Sequence, residues 1–171
     1  MCNRIWRLAV LLCGVFAVGM TLTPAQAEKI PDDRLEGFMA VMPAAPAGWT
    51  RGPQIGAYSS DSASTATATY RSGDGKEFSF VITFSARNIE QNRELLKDKD
   101  DRDRFGMNAE KIKGRDALVK KPDNGNKLMA TFLIVLSDTR AVSLNDLNGN
   151  VDVAIMKAML EAADLDAIAK R

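Results

Sequence analysis

Ser64-Thr65-Ala66-Thr67-Ala68-Thr69-Tyr70, followed by Ser72-Gly73-Asp74-Gly75 and then by Glu77-Phe78-Ser79-Phe80-Val81-Ile82-Thr83-Phe84, decides the fold. In the first run Ala66, Ala68 and Tyr70 alternate with threonines, a period of two that belongs to a strand with one buried face. The glycines and Asp74 tolerate positive φ, as a tight hairpin requires. The return run places Phe78, Phe80, Ile82 and Phe84 on one side, opposite Glu77, Ser79, Thr83 and Ser85. An aromatic stripe of this kind buries about 150 to 250 Å² per ring, enough to seed a core.

Outward from this hairpin the same periodicities continue. Ile112 to Lys121, the turn Pro122-Asp123-Asn124-Gly125-Asn126 and Leu128 to Leu136 read as a second hairpin. Leu128, Ala130, Phe132, Ile134 and Leu136 share one face there. Met129, Leu133 and Val135 make the other face apolar too, so this strand is expected to be central and covered on both sides. A last strand is expected over Arg140 to Leu144.

Helical spacing appears at both ends. Asp33 and Glu36 form a capping-box pattern, after which Leu35, Phe38, Met39 and Met42 predict a short helix that Pro43 ends. Val151, Ile155, Ala158, Met159 and Ala162 predict a helix to about Ala163, followed by a break at Asp164-Leu165-Asp166 and a terminal turn. Between the sheet segments, Glu90 to Asp100 reads as an exposed helix and Asp98 to Arg104 as a solvated mixed-charge run. The order predicts an α+β domain: an antiparallel sheet of about five to six strands with N- and C-terminal helices packed on it.

The first 27 residues read as an export signal. Arg4 and Arg7 precede an apolar run from Leu8 to Met20, and Ala25-Gln26-Ala27 supplies the small-x-small cleavage pattern. Cys13 follows Leu12, too large a residue for a lipidation site, and an apolar run of about 13 residues is short of the 20 or so that span a bilayer. Periplasmic or secreted localisation is therefore expected, with a single domain over residues 28–171 and no membrane span after cleavage.

Removing 27 of the 171 residues leaves 144 with no histidine and no cysteine, since the chain has no His and both its cysteines, Cys2 and Cys13, lie in the leader. Imidazole and thiol carry most metal binding, nucleophilic catalysis and near-neutral proton transfer. Two of the 23 basic residues leave with the leader, so 21 face 22 acids. A net charge near −1 predicts no attraction to nucleic acid or anionic lipid.

The Pro43-Ala44-Ala45-Pro46-Ala47-Gly48-Trp49 opening, the Gly73-Asp74-Gly75 hairpin, the strand Ile112 to Val119 and the closing Ala163-Asp164-Leu165 together resemble a family of small exported proteins of Gram-negative bacteria in which no catalytic residues are known. The resemblance spans roughly residues 40 to 168. More distantly the layout is similar to the sandwich of PsbP-like proteins, which implies a binding or accessory role in the periplasm and no catalytic residues to transfer.

Few residues compete for a chemical role. Asp146, Asn148, Asn150 and Asp152 begin like a calcium loop, but Val151 and Lys157 stand where the turn glycine and the bidentate acid belong, and a helix-capping turn explains them. Asp98, Asp100, Asp101 and Asp103 are interleaved with Lys99, Arg102 and Arg104, a solvated face rather than paired catalytic acids. Ser59, Ser60 and Ser62 lie in a loop-like stretch without a Ser-x-x-Lys partner. The six methionines beyond the leader are scattered at core-compatible positions rather than grouped for copper. No catalytic, metal or cofactor-binding residues are assigned and no cofactor is implied.

The candidates for contact with a partner or ligand are Trp49, Arg51, Tyr58, Tyr70 and Arg87, because aromatic and arginine side chains dominate binding hot spots. The function expected is a non-enzymatic periplasmic accessory or binding protein that holds a protein partner or small ligand on one sheet face or a rim near Trp49. The alternatives are an exported hydrolase using carboxylates and lysines, and a periplasmic immunity or inhibitor protein.

Overall fold

The computed structural model describes residues 37, 38, 40–52, 63–122 and 130–171, together with the backbone of 56–59. The proposed leader, the residues expected to start the first helix, and residues 123–129, where most of the expected turn and the expected strand start at Leu128 fall, lie outside the described residues.

The chain is α+β, built on one antiparallel sheet. Its strands are β1 (Trp49–Arg51), β2 (Gly56–Ser59), β3 (Ser64–Ser72), β4 (Glu77–Phe84), β5 (Asn108–Ile112), β6 (Arg115–Lys120), β7 (Thr131–Val135) and β8 (Arg140–Asp146). They run in the order β1-β3-β4-β8-β7-β6-β5, and β2 pairs with β3 farther along the edge that β1 occupies. The helices are α1 (Ala86–Lys97), α2 (Lys99–Arg104), α3 (Val153–Ala162) and α4 (Leu165–Lys170), preceded by a helical turn around residues 37–41.

The β3–β4 hairpin forms in the register that its alternation demands, Tyr70 opposite Phe78 and Ala66 opposite Ile82. Gly75, at φ 84°, closes the turn and donates its N–H to the Ser72 carbonyl. Phe78, Phe80 and Ile82 continue across β8 to Leu144 and Val142, and across β7 to Phe132 and Ile134. Phe38, Met42, Met156, Met159, Leu160, Leu165 and Ile168 complete this cluster from the helical side, all buried.

Three strands beyond the five named from the sequence raise the count among the described residues to eight. Trp49 to Ser59 supplies β1 and β2 on one edge, so Ser59 ends a strand instead of lying in a loop. The strand expected over Ile112 to Lys121 is β6, starting only at Arg115, while Ile112 ends an unexpected strand, β5, that begins at Asn108 in the charged segment. They are separated by Lys113 and Gly114 at φ 50° and 75°, the paired positive φ of a two-residue hairpin turn.

The charged insert also differs from its reading. Ser85 caps α1 by accepting from the Asn88 N–H (3.2 Å), and Ile89 is fully buried. The helix packs across β6, β7 and β8, where Leu118 and Ala141 are buried on the face opposite the main core. Asp98 then caps α2 through the N–H groups of Asp100 and Asp101, so the mixed-charge run is a helix. Arg102 donates to the Leu95 and Leu96 carbonyls (3.0 and 2.6 Å), satisfying acceptors that the end of α1 leaves open.

The buried stripe of α3 is Met156, Met159 and Leu160, so of the expected stripe Met159 is buried while Ile155 is half-buried and Ala158 and Ala162 are exposed, an offset of one position. Val151 caused the offset. It is buried, but it precedes the helix, which starts only after the Asp152 cap.

Candidate functional site

The aromatic and arginine candidates fall into three places. Trp49, Arg51 and Tyr70 meet at the β1–β3 edge. The Trp49 ring lies 4.9 Å from Phe78, and Tyr70 stacks on Phe78 at 5.0 Å with the rings 9° apart. Tyr70 is fully buried and its hydroxyl donates to the Pro43 carbonyl at 2.8 Å, while an Arg51 nitrogen donates to the Met42 carbonyl at 3.1 Å. These contacts clasp the proline-rich connector onto the sheet. Burial pushes the Tyr70 phenol up to about 12, against the opposing pull of the Arg51 charge.

Arg87 is exposed in the first turn of α1, beyond Phe84. Phe84 stands six residue steps along β4 from Phe78, about 20 Å, so Arg87 does not join the clasp. Tyr58 pairs with Thr65, a register position of the opposite phase to Tyr70.

The loop after β8 is a capping turn. Asp146 is fully buried, and its carboxylate accepts the N–H groups of Asn148, Gly149 and Val151 at 3.0, 2.9 and 3.1 Å. Asp152 accepts from the Ala154 N–H at 2.8 Å and starts α3. Among the described residues no three potential metal ligands gather in one place.

A groove that sequence reasoning missed opens at one end of the sheet, with a volume of about 360 Å³. One wall is α1, where Arg93, Leu96 and Lys97 share a side because they are three and four residues apart. The other wall is the Lys113-Gly114 turn and the start of β6, which present Arg115 and Asp116. Val135 and Leu136, at the end of β7, supply apolar surface between them. The groove exists because α1 crosses the sheet beside a hairpin whose two-residue turn keeps Arg115 close to it.

Each charged lining residue has a protein partner. Arg93 meets Asp138 at 2.6 Å and Glu90 at 3.9 Å, Lys97 meets Glu94 at 2.8 Å, Arg115 meets Asp166 at 2.5 Å and Asp116 meets Lys111 at 2.6 Å. The hydrogen bond from Lys97 holds the Glu94 carboxyl below its usual range and raises the lysine in turn. The lining holds no hydroxyl, thiol or imidazole side chain, and its amine, Lys97, and its carboxylate, Asp116, are each held in an ion pair.

A second hollow, of about 530 Å³, lies beside Arg104, Phe105, Lys120 and Lys121, with Phe105 half exposed. Among the described residues no helix is long and apolar enough to cross a membrane. The chain matches no protein-family model, and no curated protein or solved structure is significantly similar to it.

Proposed function

We propose that the protein is an exported, non-enzymatic accessory protein that holds a small ligand in the groove between α1 and the β5–β6 hairpin. The observation that carries the reading is the groove's make-up: cationic side chains on both walls, each held in an ion pair, over an apolar floor. The leader pattern supports export. The resemblance to small exported proteins and, distantly, to PsbP-like sandwiches supports an accessory role.

Hydrolysis by a carboxylate pair requires one acid with a raised pKa. The shifts at Asp74, Glu94 and Glu110 run the other way, driven by Ser72 with Lys76, by Lys97 and by Lys121 respectively. The buried Asp146 is occupied by three backbone N–H groups. These arrangements favour binding over turnover.

A thermal-shift screen of the protein recovered from the periplasmic fraction tests the reading. A ligand at a hundred times its Kd stabilises by about 2.7 kcal/mol, which for a domain of this size raises Tm by roughly 8 °C. Shifts of that order with small ligands are expected. Catalytic turnover of any hit by the purified protein would overturn the non-enzymatic reading.

A further inference from the structure

We propose that the groove takes the carboxylate of a small amphipathic acid, with Arg93 and Arg115 holding the head group and Leu96, Val135 and Leu136 receiving the hydrocarbon body. The proposal rests on the binding reading above and gives it a ligand class.

The first argument is the unequal exposure within the ion pairs. The side chains of Arg93 and Arg115 are 32% and 30% exposed, whereas their partners Asp138 and Asp166 are 89% and 74% exposed. The arginines are held against the protein and the acids stand in water. Such exposed pairs contribute little to stability, so an incoming carboxylate replaces Asp138 or Asp166 without unfolding anything and leaves the displaced acid solvated. A guanidinium presents two parallel N–H donors matched to a carboxylate, a fit that a lysine cannot supply.

Charge then selects among anions. The lining carries Arg93, Lys97 and Arg115 against Asp116, which favours an anion over a cation. Just outside stand Glu90, Glu94, Asp138 and Asp166, each already paired to one of those cations. The displaced acid stays on the chain close by, so a bound monoanion adds a single negative charge beside this acidic ring whereas a multiply charged phosphate adds more, and the ring disfavours the phosphate.

Size and floor select the body. A volume of about 360 Å³ is roughly a dozen water-sized spaces at ~30 Å³ each, near the lower end for ligand pockets. Leu96, Val135 and Leu136 give an inorganic anion nothing to bury against. A chain of about five or six carbons, or a phenyl ring, fits both volume and floor.

Calorimetric titration with hexanoate, acetate, hexylamine and inorganic phosphate tests the proposal. Hexanoate is expected to bind one to one, acetate at least tenfold more weakly, and hexylamine and phosphate not detectably. Arg93→Gln and Arg115→Gln should each weaken hexanoate by about tenfold to a hundredfold, the range for one lost charge-assisted hydrogen bond. Arg115→Lys should recover part of the loss, and all three variants should keep the parent Tm within about 2 °C, because the pairs removed are exposed.

Hexanoate binding that neither arginine substitution affects would overturn the assignment, as would equal binding of acetate or hexylamine. Should the thermal-shift screen yield ligands whose affinity ignores Arg93 and Arg115, the carboxylate proposal falls and the binding reading survives. No binding by any probe or library compound sinks both.

Discussion

Replacing Tyr70 by Phe separates the two consequences of its burial. At neutral pH the substitution removes the 2.8 Å hydrogen bond to Pro43 and leaves a carbonyl of a buried residue without that donor. The net bond is worth about 1 kcal/mol and an orphaned buried acceptor about 1 to 3, so a loss of about 2 kcal/mol is expected. The stacked ring on Phe78 is retained. The alkaline behaviour is the more specific test. The phenol is raised from 10.0 to about 12 in the folded chain, so its contribution is fully present below pH 10 and is lost as pH rises toward 12. With about 1.4 kcal/mol per unit, wild type should lose about 2 kcal/mol relative to Tyr70→Phe between pH 9 and 11.5. The gap between the two proteins therefore closes over that window. Urea unfolding followed by Trp49 fluorescence reads it directly, because Trp6 lies in the proposed leader and Trp49 packs 4.9 Å from Phe78. A gap that stays constant from pH 8 to 11.5 would refute the burial of this phenol and with it the clasp.

Asp146→Ala removes the acceptor of three loop N–H groups at a buried site and should cost about 3 kcal/mol or more in chemical unfolding. A loss under 1 kcal/mol would mean that the turn holds itself. Gly114→Ala places a side chain at φ 75° and should destabilise by about 1 to 2 kcal/mol, without a steric clash since nothing lies within 4 Å of the added carbon. Ser85→Ala should cost about 1 kcal/mol through the lost α1 cap, read from the urea midpoint. N-terminal sequencing of exported material should begin at Glu28, and retention of Met1 would contradict the leader reading.

Much of the sheet was legible because its strands bury one face. Ala66, Ala68 and Tyr70 against Phe78, Phe80 and Ile82 announce both period and register, and Phe132 and Ile134 do the same for β7. The β5–β6 hairpin was hidden because Lys113 adopts positive φ in a turn usually marked by Asn or Asp before Gly. The placement of α1 was hidden too. Ile89 is its one fully buried residue and its cap is a serine at the end of a strand, so the helix expected over Glu90 to Asp100 begins four residues earlier, at Ala86, and packs on the sheet instead of standing exposed. The candidate groove draws on segments around Arg93, Arg115 and Val135 that are far apart in sequence, and no motif joins them. Its one local trace is Arg93, Leu96 and Lys97 on a single helix side. Conversely, the aromatic and arginine criterion selected Trp49, Arg51 and Tyr70, whose partners Met42, Pro43 and Phe78 make them fastenings of the connector.

The central claim is a division of labour: the Trp49–Tyr70 cluster fastens the chain and the Arg93–Arg115 groove receives the ligand. Amide chemical-shift mapping during a hexanoate titration tests it most directly. The account predicts that shifts concentrate at Arg93, Lys97, Gly114, Arg115 and Leu136 while Trp49, Arg51 and Tyr70 stay still. Shifts centred on Trp49 and Arg51, with the groove silent, would contradict it.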